Sequence, residues 1–470
     1  MKDLFRRKSI DQLVDHTAPN RLRPSLSAWH LVLLGVGAIV GTGIYTLVGV
    51  GADRAGPAVI LSFAIAGAVC AFAALAYAEL ATMMPASGSA YTYSYAAMGE
   101  LVAWIIGWAL ILEYSVVCSA VAVGWSGYAV GFLRGIGVDL PAALVGGPAA
   151  GGLINIPAIL IVAAVTGMLL IGTRESANLN SVLVVIKIVA LAVFVALALP
   201  AFNAENFAPF APYGFAAHVD AAGADRGIMS AAAIIFFAFY GFDAVSTAAE
   251  ETKDPGRSLS VGIIGSMVIC TLIYMTVAAA AVGAMPFDNF AKSDEPLAHI
   301  MRALGHDKTA AFVAAAAVVA LPTVILAFMY GQSRIFFVMA RDGLLPHQLG
   351  RVHEKSGAPV AMTIITGVVC ALIAGVLPLA TIAELANAGT LAAFIATAGA
   401  LMILRVREPE RHRPFKAPLA FVVAPGAILG CLYLFISLPA ITQQRFFIWM
   451  AIGLVVYFVF SRGSSVLARR

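Results

Sequence analysis

Twelve apolar stretches of helix length constrain this chain more than any single motif does. A helix crosses the hydrocarbon core of a bilayer with roughly 20 apolar residues. The stretches lie at Trp29–Val50, Pro57–Met83, Leu101–Leu133, Ile156–Gly172, Leu179–Pro200, Ile228–Ala249, Leu259–Ala284, Thr309–Met339, Pro359–Leu377, Ile382–Leu404, Leu419–Pro439 and Phe446–Ser461. Spans three and eight are long and are expected to tilt. The apolar character is continuous rather than alternating, which excludes an outer-membrane barrel. Only 11% of the 470 residues are charged and 61% are apolar, against about 25% charged in a soluble chain. That composition excludes a soluble enzyme, a nucleic-acid binder and a disordered protein. The fold class is an all-α polytopic protein, with the lipid bilayer as solvent and partner.

Residues 1–28 are polar and basic, without a leading apolar stretch, so no signal peptide is expected. Ile10, Leu13 and Val14 suit one short interfacial turn. With the N-terminus placed in the cytoplasm, 21 of the 29 Lys and Arg residues fall in cytoplasmic segments, seven fall outside, and Lys187 lies within a span. That threefold bias is the positive-inside signal, so both tails, 1–28 and 463–470, are expected in the cytoplasm. The net charge of +4 is read in the same way. Cys70, Cys118, Cys270, Cys370 and Cys431 all fall in apolar runs without a CxxC, as core residues do. The His residues lie in tails, loops and span ends without metal-ligand spacing. No Walker A, HExxH or GxSxG motif is present, so no metal, cofactor or enzymatic chemistry is expected.

An internal repeat organises the spans. Span one contains GVGAIVGTGIY, Gly35 to Tyr45, and span six contains FFAFYGFDAVS, Phe236 to Ser246. Both interrupt an apolar helix with glycine at mid-depth, about 200 residues apart. Spans two and seven, three and eight, and five and ten keep nearly the same offset. Five is an odd number, so the second unit enters the membrane from the opposite side. The expectation is an inverted repeat of residues 29–201 and 228–405, with two further helices in 419–462. Paired glycine-interrupted spans point to a transporter's substrate site.

Gly35, Gly37, Gly41 and Gly43 each cost about 1 kcal/mol in a helix interior relative to alanine. An unwound segment there would present N–H groups to a carboxylate and carbonyls to an ammonium group. The competing reading is close helix packing through Gly37 and Gly41, and the matching break in span six favours the site. Asp243 is expected to cap the second half of the broken span six, and Phe239, Tyr240 and Phe242 to form an aromatic wall and gate. Lys187 lies near the middle of span five, at a cost of about 2.5–3.5 kcal/mol. It reads either as a structural cation on the exposed carbonyls of span one or as a proton carrier, and the two are compatible. Glu113 in span three reads either as an acid facing a cationic side chain or as a protonated, hydrogen-bonded packing residue. Glu79 and Glu384 read as packing residues.

At these residues the chain resembles the amino acid–polyamine–organocation superfamily, and within it the bacterial members of the cationic amino acid transporter family. The resemblance is carried by RKSIDQLVD (Arg7 to Asp15), GAIVGTGIY (Gly37 to Tyr45), YAELATMMPASGSAYTY (Tyr77 to Tyr93), VGWSGY (Val123 to Tyr128), FFAFYGFDAVSTAAEET (Phe236 to Thr252) and YGQSRIFFVMARDGLLP (Tyr330 to Pro346). It runs from the tail to span twelve and departs at Tyr45, where phenylalanine is commoner. It implies a LeuT-type fold of twelve helices with broken helices one and six, working by alternating access. It places Val40, Gly41, Thr42 and Gly43 at the substrate carboxylate, and the carbonyls of Ile39, Phe237, Ala238 and Tyr240 at the α-ammonium. It makes Phe242 a gate, matches Glu113 to the family's span-three glutamate, and matches Lys187 to a lysine standing in place of a sodium ion. The expected function is secondary active transport of cationic or neutral L-amino acids, driven by protons, across the bacterial cytoplasmic membrane. The alternatives are a carrier of the major facilitator type, a uniporter or exchanger of amino acids or polyamines, and a membrane-embedded enzyme or channel. Two features argue against the major facilitator type: the loop between spans two and three has no Lys or Arg, and the repeat is five spans rather than six. The choice between cationic and neutral substrates and the oligomeric state stay open.

Overall fold

The computed structural model describes residues 6–11, 26–86, 88–171, 177–249, 252–350 and 360–468. The architecture is a stack of helices: α1 (Ala28–Ile39), α2 (Thr42–Tyr45), α3 (Leu47–Ala55), α4 (Val59–Met83), α5 (Ser89–Ala97), α6 (Glu100–Gly135), α7 (Ile156–Ile171), α8 (Ala177–Ala198) and α9 (Ile228–Ile235) come first. They are followed by α10 (Phe242–Thr247), α11 (Pro255–Ala284), α12 (Pro296–Ala303), α13 (Asp307–Ala320), α14 (Pro322–Arg341), α15 (Val360–Val376), α16 (Leu379–Arg407), α17 (Ala420–Ile436) and α18 (Ala440–Val456). A small antiparallel ribbon, His218–Val219 against Asp225–Arg226, precedes α9. Among the described residues, eight helical stretches are long and apolar enough to cross a membrane, and four shorter apolar helices accompany them.

The expected boundaries shift in two places. Spans one and two are joined, because α3 runs through a 3-10 turn at Gly56–Ala58 into α4. Span eight is not one tilted helix but α13 and α14, which meet at Pro322. Proline has no N–H to donate and its ring crowds the preceding turn, so the helical ladder is interrupted there. Leu13 and Val14 of the expected interfacial turn lie outside the described residues; Ile10 is buried. Lys2, Arg21, Arg23, Arg174, Arg351, Lys355, Arg469 and Arg470 of the basic segments also lie outside them.

The helices pack in the following pairs. α1 packs on α11, and α9 with the 3-10 turn that follows it packs on α4. α7 packs on α15, α6 on α14, α6 on α16, and α8 on α13. α9 is buried on every side, whereas α18 exposes Phe447, Ile448, Ile452 and Val455. In lipid such exposure is the solvated state, so the outer helices need no polar face.

Candidate functional site

The two interrupted helices meet at their breaks. α1 ends at Ile39. Val40 leaves the helical region (φ −71°, ψ 90°), and Gly41 is extended (φ −139°, ψ −151°) before α2 begins. On the other side a 3-10 turn, Phe236–Phe239, follows α9, and Gly241 takes φ +116° ahead of α10. That backbone conformation favours glycine. A Cβ on Gly43 would stand 2.3 Å from the Ala238 Cα, and one on Gly241 would stand 2.7 Å from the Ala38 carbonyl carbon. Each break is therefore shaped to receive the other.

A small cavity of about 10 Å³, room for about one water molecule, lies where they meet, lined by Ala38, Ile39, Gly41, Thr42, Gly43, Phe237 and Tyr240 from the breaks. Val117 and Val121 of α6 and Val324 and Phe328 of α14 complete the wall. All the lining residues are buried. No lining side chain is charged. The Thr42 hydroxyl has no hydrogen-bond partner among the described residues. Of the expected site, Val40, Ala238, Phe242 and Glu113 are not on the wall. Ala238 supplies the backbone against which Gly43 packs. Phe242 belongs to an aromatic cluster, its ring centroid 5.7 Å from Tyr77 and 5.0 Å from Phe394, and Phe239 lies 5.3 Å from Tyr274.

The valines and phenylalanine were missed for a physical reason: Val117/Val121 and Val324/Phe328 are i,i+4 apolar pairs, which any packed helix shows. One signal was available. Val324 follows Val117, and Phe328 follows Val121, by 207 residues, close to the offset of about 200 between the two breaks.

Polar groups hold the breaks in place. The Tyr274 hydroxyl of α11 lies 2.6 Å from the Ile39 carbonyl oxygen and 2.9 Å from that of Ala238, bridging both breaks. Lys187 of α8 is fully buried, and its Nζ donates to the Gly37 carbonyl (2.9 Å) and to Thr323 Oγ1 (3.1 Å). Thr323 occupies the first turn after the Pro322 interruption. The Tyr45 hydroxyl donates to the Lys187 carbonyl (3.2 Å), and Tyr128 of the VGWSGY motif donates to the Tyr45 carbonyl (2.5 Å). Gly124 of the same motif faces Thr42, whose Cγ2 would be 2.3 Å from an added Cβ.

Four buried carboxylates take up positions that the sequence did not show. Asp243 is not the N-cap of α10. Gly241 holds that place, and Asp243 reaches back from the first turn to accept from the Gly241 N–H (3.1 Å) and the Tyr114 hydroxyl (3.3 Å). Glu79 is ion-paired with Arg405 (2.5 Å) and Arg413 (2.9 Å), and Glu384 with Arg54 (2.5 Å). Guanidinium groups are the partners that a buried carboxylate requires. Glu113 is fully buried, and neither carboxylate oxygen has a hydrogen-bond partner among the described residues; its Cβ faces Gly389 of α16. Among the described residues no group of His, Cys, Asp and Glu could hold a metal ion.

The sequence profile of the amino acid permeases matches residues 26–459, nearly the whole chain. The chain belongs to the amino acid permease family. This permease is 45% identical over 469 residues to the branched-chain amino acid permease BcaP of Bacillus subtilis (strain 168), covering 99% of both chains. It is 41% identical over 470 residues to the methylthioribose transporter of the same organism, covering 99% of this chain and 100% of that one. Similarity to the vacuolar cationic amino acid transporter 4 of Arabidopsis thaliana is 34% over 421 residues, 87% of this chain and 68% of that one. The permease is thus a multi-pass membrane transporter and not an enzyme, which also removes the major facilitator alternative.

Proposed function

We propose that this permease is a proton-driven secondary transporter of neutral L-amino acids with apolar side chains, working by alternating access across the bacterial cytoplasmic membrane. The observation that carries the reading is the cavity: main chain from two helix breaks at one side, valine and phenylalanine at the other, and no charged side chain between. The N–H groups at Gly41, Thr42 and Gly43 have no acceptor within their own helix and would receive the carboxylate. The carbonyls of Ile39 and Phe237 would receive the ammonium group; a carbonyl has two lone pairs, so the Tyr274 bond leaves room at Ile39. Val117, Val121, Val324 and Phe328 would then enclose an apolar side chain.

Glu113, the acid on which a cationic specificity would depend, stands off the wall, so the neutral reading is preferred. The same reading takes the molecule as twelve spans with both termini cytoplasmic, residues 29–201 and 228–405 forming the inverted repeat. Exchanging spans one to five with six to ten carries the α1–α11 contact into the contact of α9 with α4, and α6–α16 into α14's neighbour α13 against α8. Lys187 is assigned the proton coupling.

The test is uptake of labelled leucine into proteoliposomes under an imposed inward proton gradient, with unlabelled valine, lysine and methylthioribose as competitors. Valine should compete, lysine should not, and accumulation should require the gradient. The 41% identity to a methylthioribose transporter supports a second reading, a neutral sugar thioether in the same uncharged cavity. Competition by methylthioribose but not by valine would select it.

A further inference from the structure

Asn387 of α16 is fully buried, and its carboxamide reaches both sides of the break in span six. Nδ2 donates to the carbonyls of Ala233 (2.6 Å) and Ile234 (3.2 Å), while Oδ1 accepts from the Tyr240 hydroxyl. The first contacts fall at the end of α9, where the change to a 3-10 turn leaves helix carbonyls without their usual i+4 donors. The second falls beyond that turn, on a residue whose ring forms part of the cavity wall. A side chain with both a donor and an acceptor end is what this double role requires.

We propose that Asn387 is a positioning residue that sets the size of the transported solute, by fixing the far end of the Tyr240 side chain against the cavity. The proposal rests on the reading of that cavity as the amino acid site. The Tyr240 ring is flanked by Phe236 at 5.5 Å and Phe237 at 5.2 Å between centroids. These contacts set the ring in an apolar layer, and apolar packing is non-directional. The bond from its hydroxyl to Asn387 is directional and holds the outer edge. Without that bond the wall can retreat, and a larger substrate side chain is admitted.

The experiment compares kcat/KM for phenylalanine and for valine in proteoliposomes containing the full-length permease, Tyr240→Phe, Asn387→Ala or the double variant. Tyr240→Phe keeps the ring and removes one oxygen, so it carries the test even if Asn387→Ala does not fold. Each single variant should raise the phenylalanine-to-valine ratio about 3- to 10-fold, the size of one neutral hydrogen bond. The double variant should match the singles rather than multiply them, because both remove the same bond. A loss of rate that is equal for both substrates would show a purely structural role and overturn the proposal, as would an unchanged ratio in Tyr240→Phe. Wild-type permease that transports neither amino acid overturns the substrate reading itself, and this proposal falls with it.

Discussion

Gly43 and Ala238 are in main-chain contact across the two helix breaks, so close that a Cβ at position 43 would lie 2.3 Å from the Ala238 Cα. That atom is backbone and cannot rotate away. Gly43→Ala must therefore separate the breaks, and with them the two sides of the cavity. Overpacking of this kind costs about 1–3 kcal/mol. The expected result is a lower Tm together with loss of leucine binding in detergent, and Gly43→Leu should abolish binding outright. Wild-type affinity in a folded Gly43→Ala protein would falsify the placement of substrate at this junction.

Glu113 tests the specificity from the other direction. It lies off the cavity wall, and neither of its oxygens is hydrogen-bonded among the described residues. Glu113→Gln preserves its shape and should leave leucine transport within about threefold of wild type, with lysine still excluded, since no charge-assisted bond to a substrate is lost. A selective fall in lysine transport, measured by counterflow, would put the acid back in the site and return the cationic reading.

Glu79 ties the C-terminal end of α4 to α16 and the segment after it. Its oxygens receive Arg405, Arg413 and the Ala417 N–H, which donates at 2.8 Å. The two arginine side chains are only 13% and 5% exposed. Glu79→Ala leaves both without their acid, a change that costs about 3–5 kcal/mol in buried pairs. Thermal unfolding should show a clear drop in Tm for Glu79→Ala and a smaller one for Glu79→Gln, which still accepts. Equal Tm values for wild type and Glu79→Ala would mean the ion pair is not a fastening point.

The residues that break helices were legible in the sequence because glycine interruptions recur in spans one and six; a lone mid-span glycine serves close helix packing equally well. Gly41 and Gly241 mark the two interruptions. The interruption of span eight was also written in the chain, as Pro322, but a long apolar run concealed it. What the sequence could not show is direction around a helix. Phe237 and Phe242 are five residues apart in one motif, yet one lines the cavity and the other packs against Tyr77 and Phe394. Between them the 3-10 turn ends in an extended Tyr240 and a left-handed Gly241 before α10 begins, and no periodic reading anticipates the rotation across such a break. Long-range polar partners were invisible for a similar reason. Arg54 and Glu384, or Asn387 and Ala233, meet only through the packing of helices far apart in the chain.

Lys187 joins two parts of the molecule that alternating access should move relative to each other. Its Nζ bonds the Gly37 carbonyl on α1, just ahead of the break, and Thr323 Oγ1 at the start of α14. A swing of α1 against α14 must lengthen one of these bonds and change how well the ammonium group is held. A proton shifts such an equilibrium only through its differential affinity for the two states, and this geometry supplies a difference. Lys187→Met keeps an unbranched apolar chain and removes the charge. It should eliminate gradient-driven accumulation of leucine, while binding in detergent stays within about tenfold of wild type, since the substrate contacts lie elsewhere. Lys187→Arg separates the two roles of the residue, because arginine keeps the charge but does not release its proton. A structural cation tolerates that exchange; a proton carrier does not. The measurement is concentrative uptake into proteoliposomes with and without an inward proton gradient, beside exchange of leucine at equal pH. Exchange without accumulation in Lys187→Arg is the expected outcome, and accumulation driven by the gradient in either variant would assign the proton to another group.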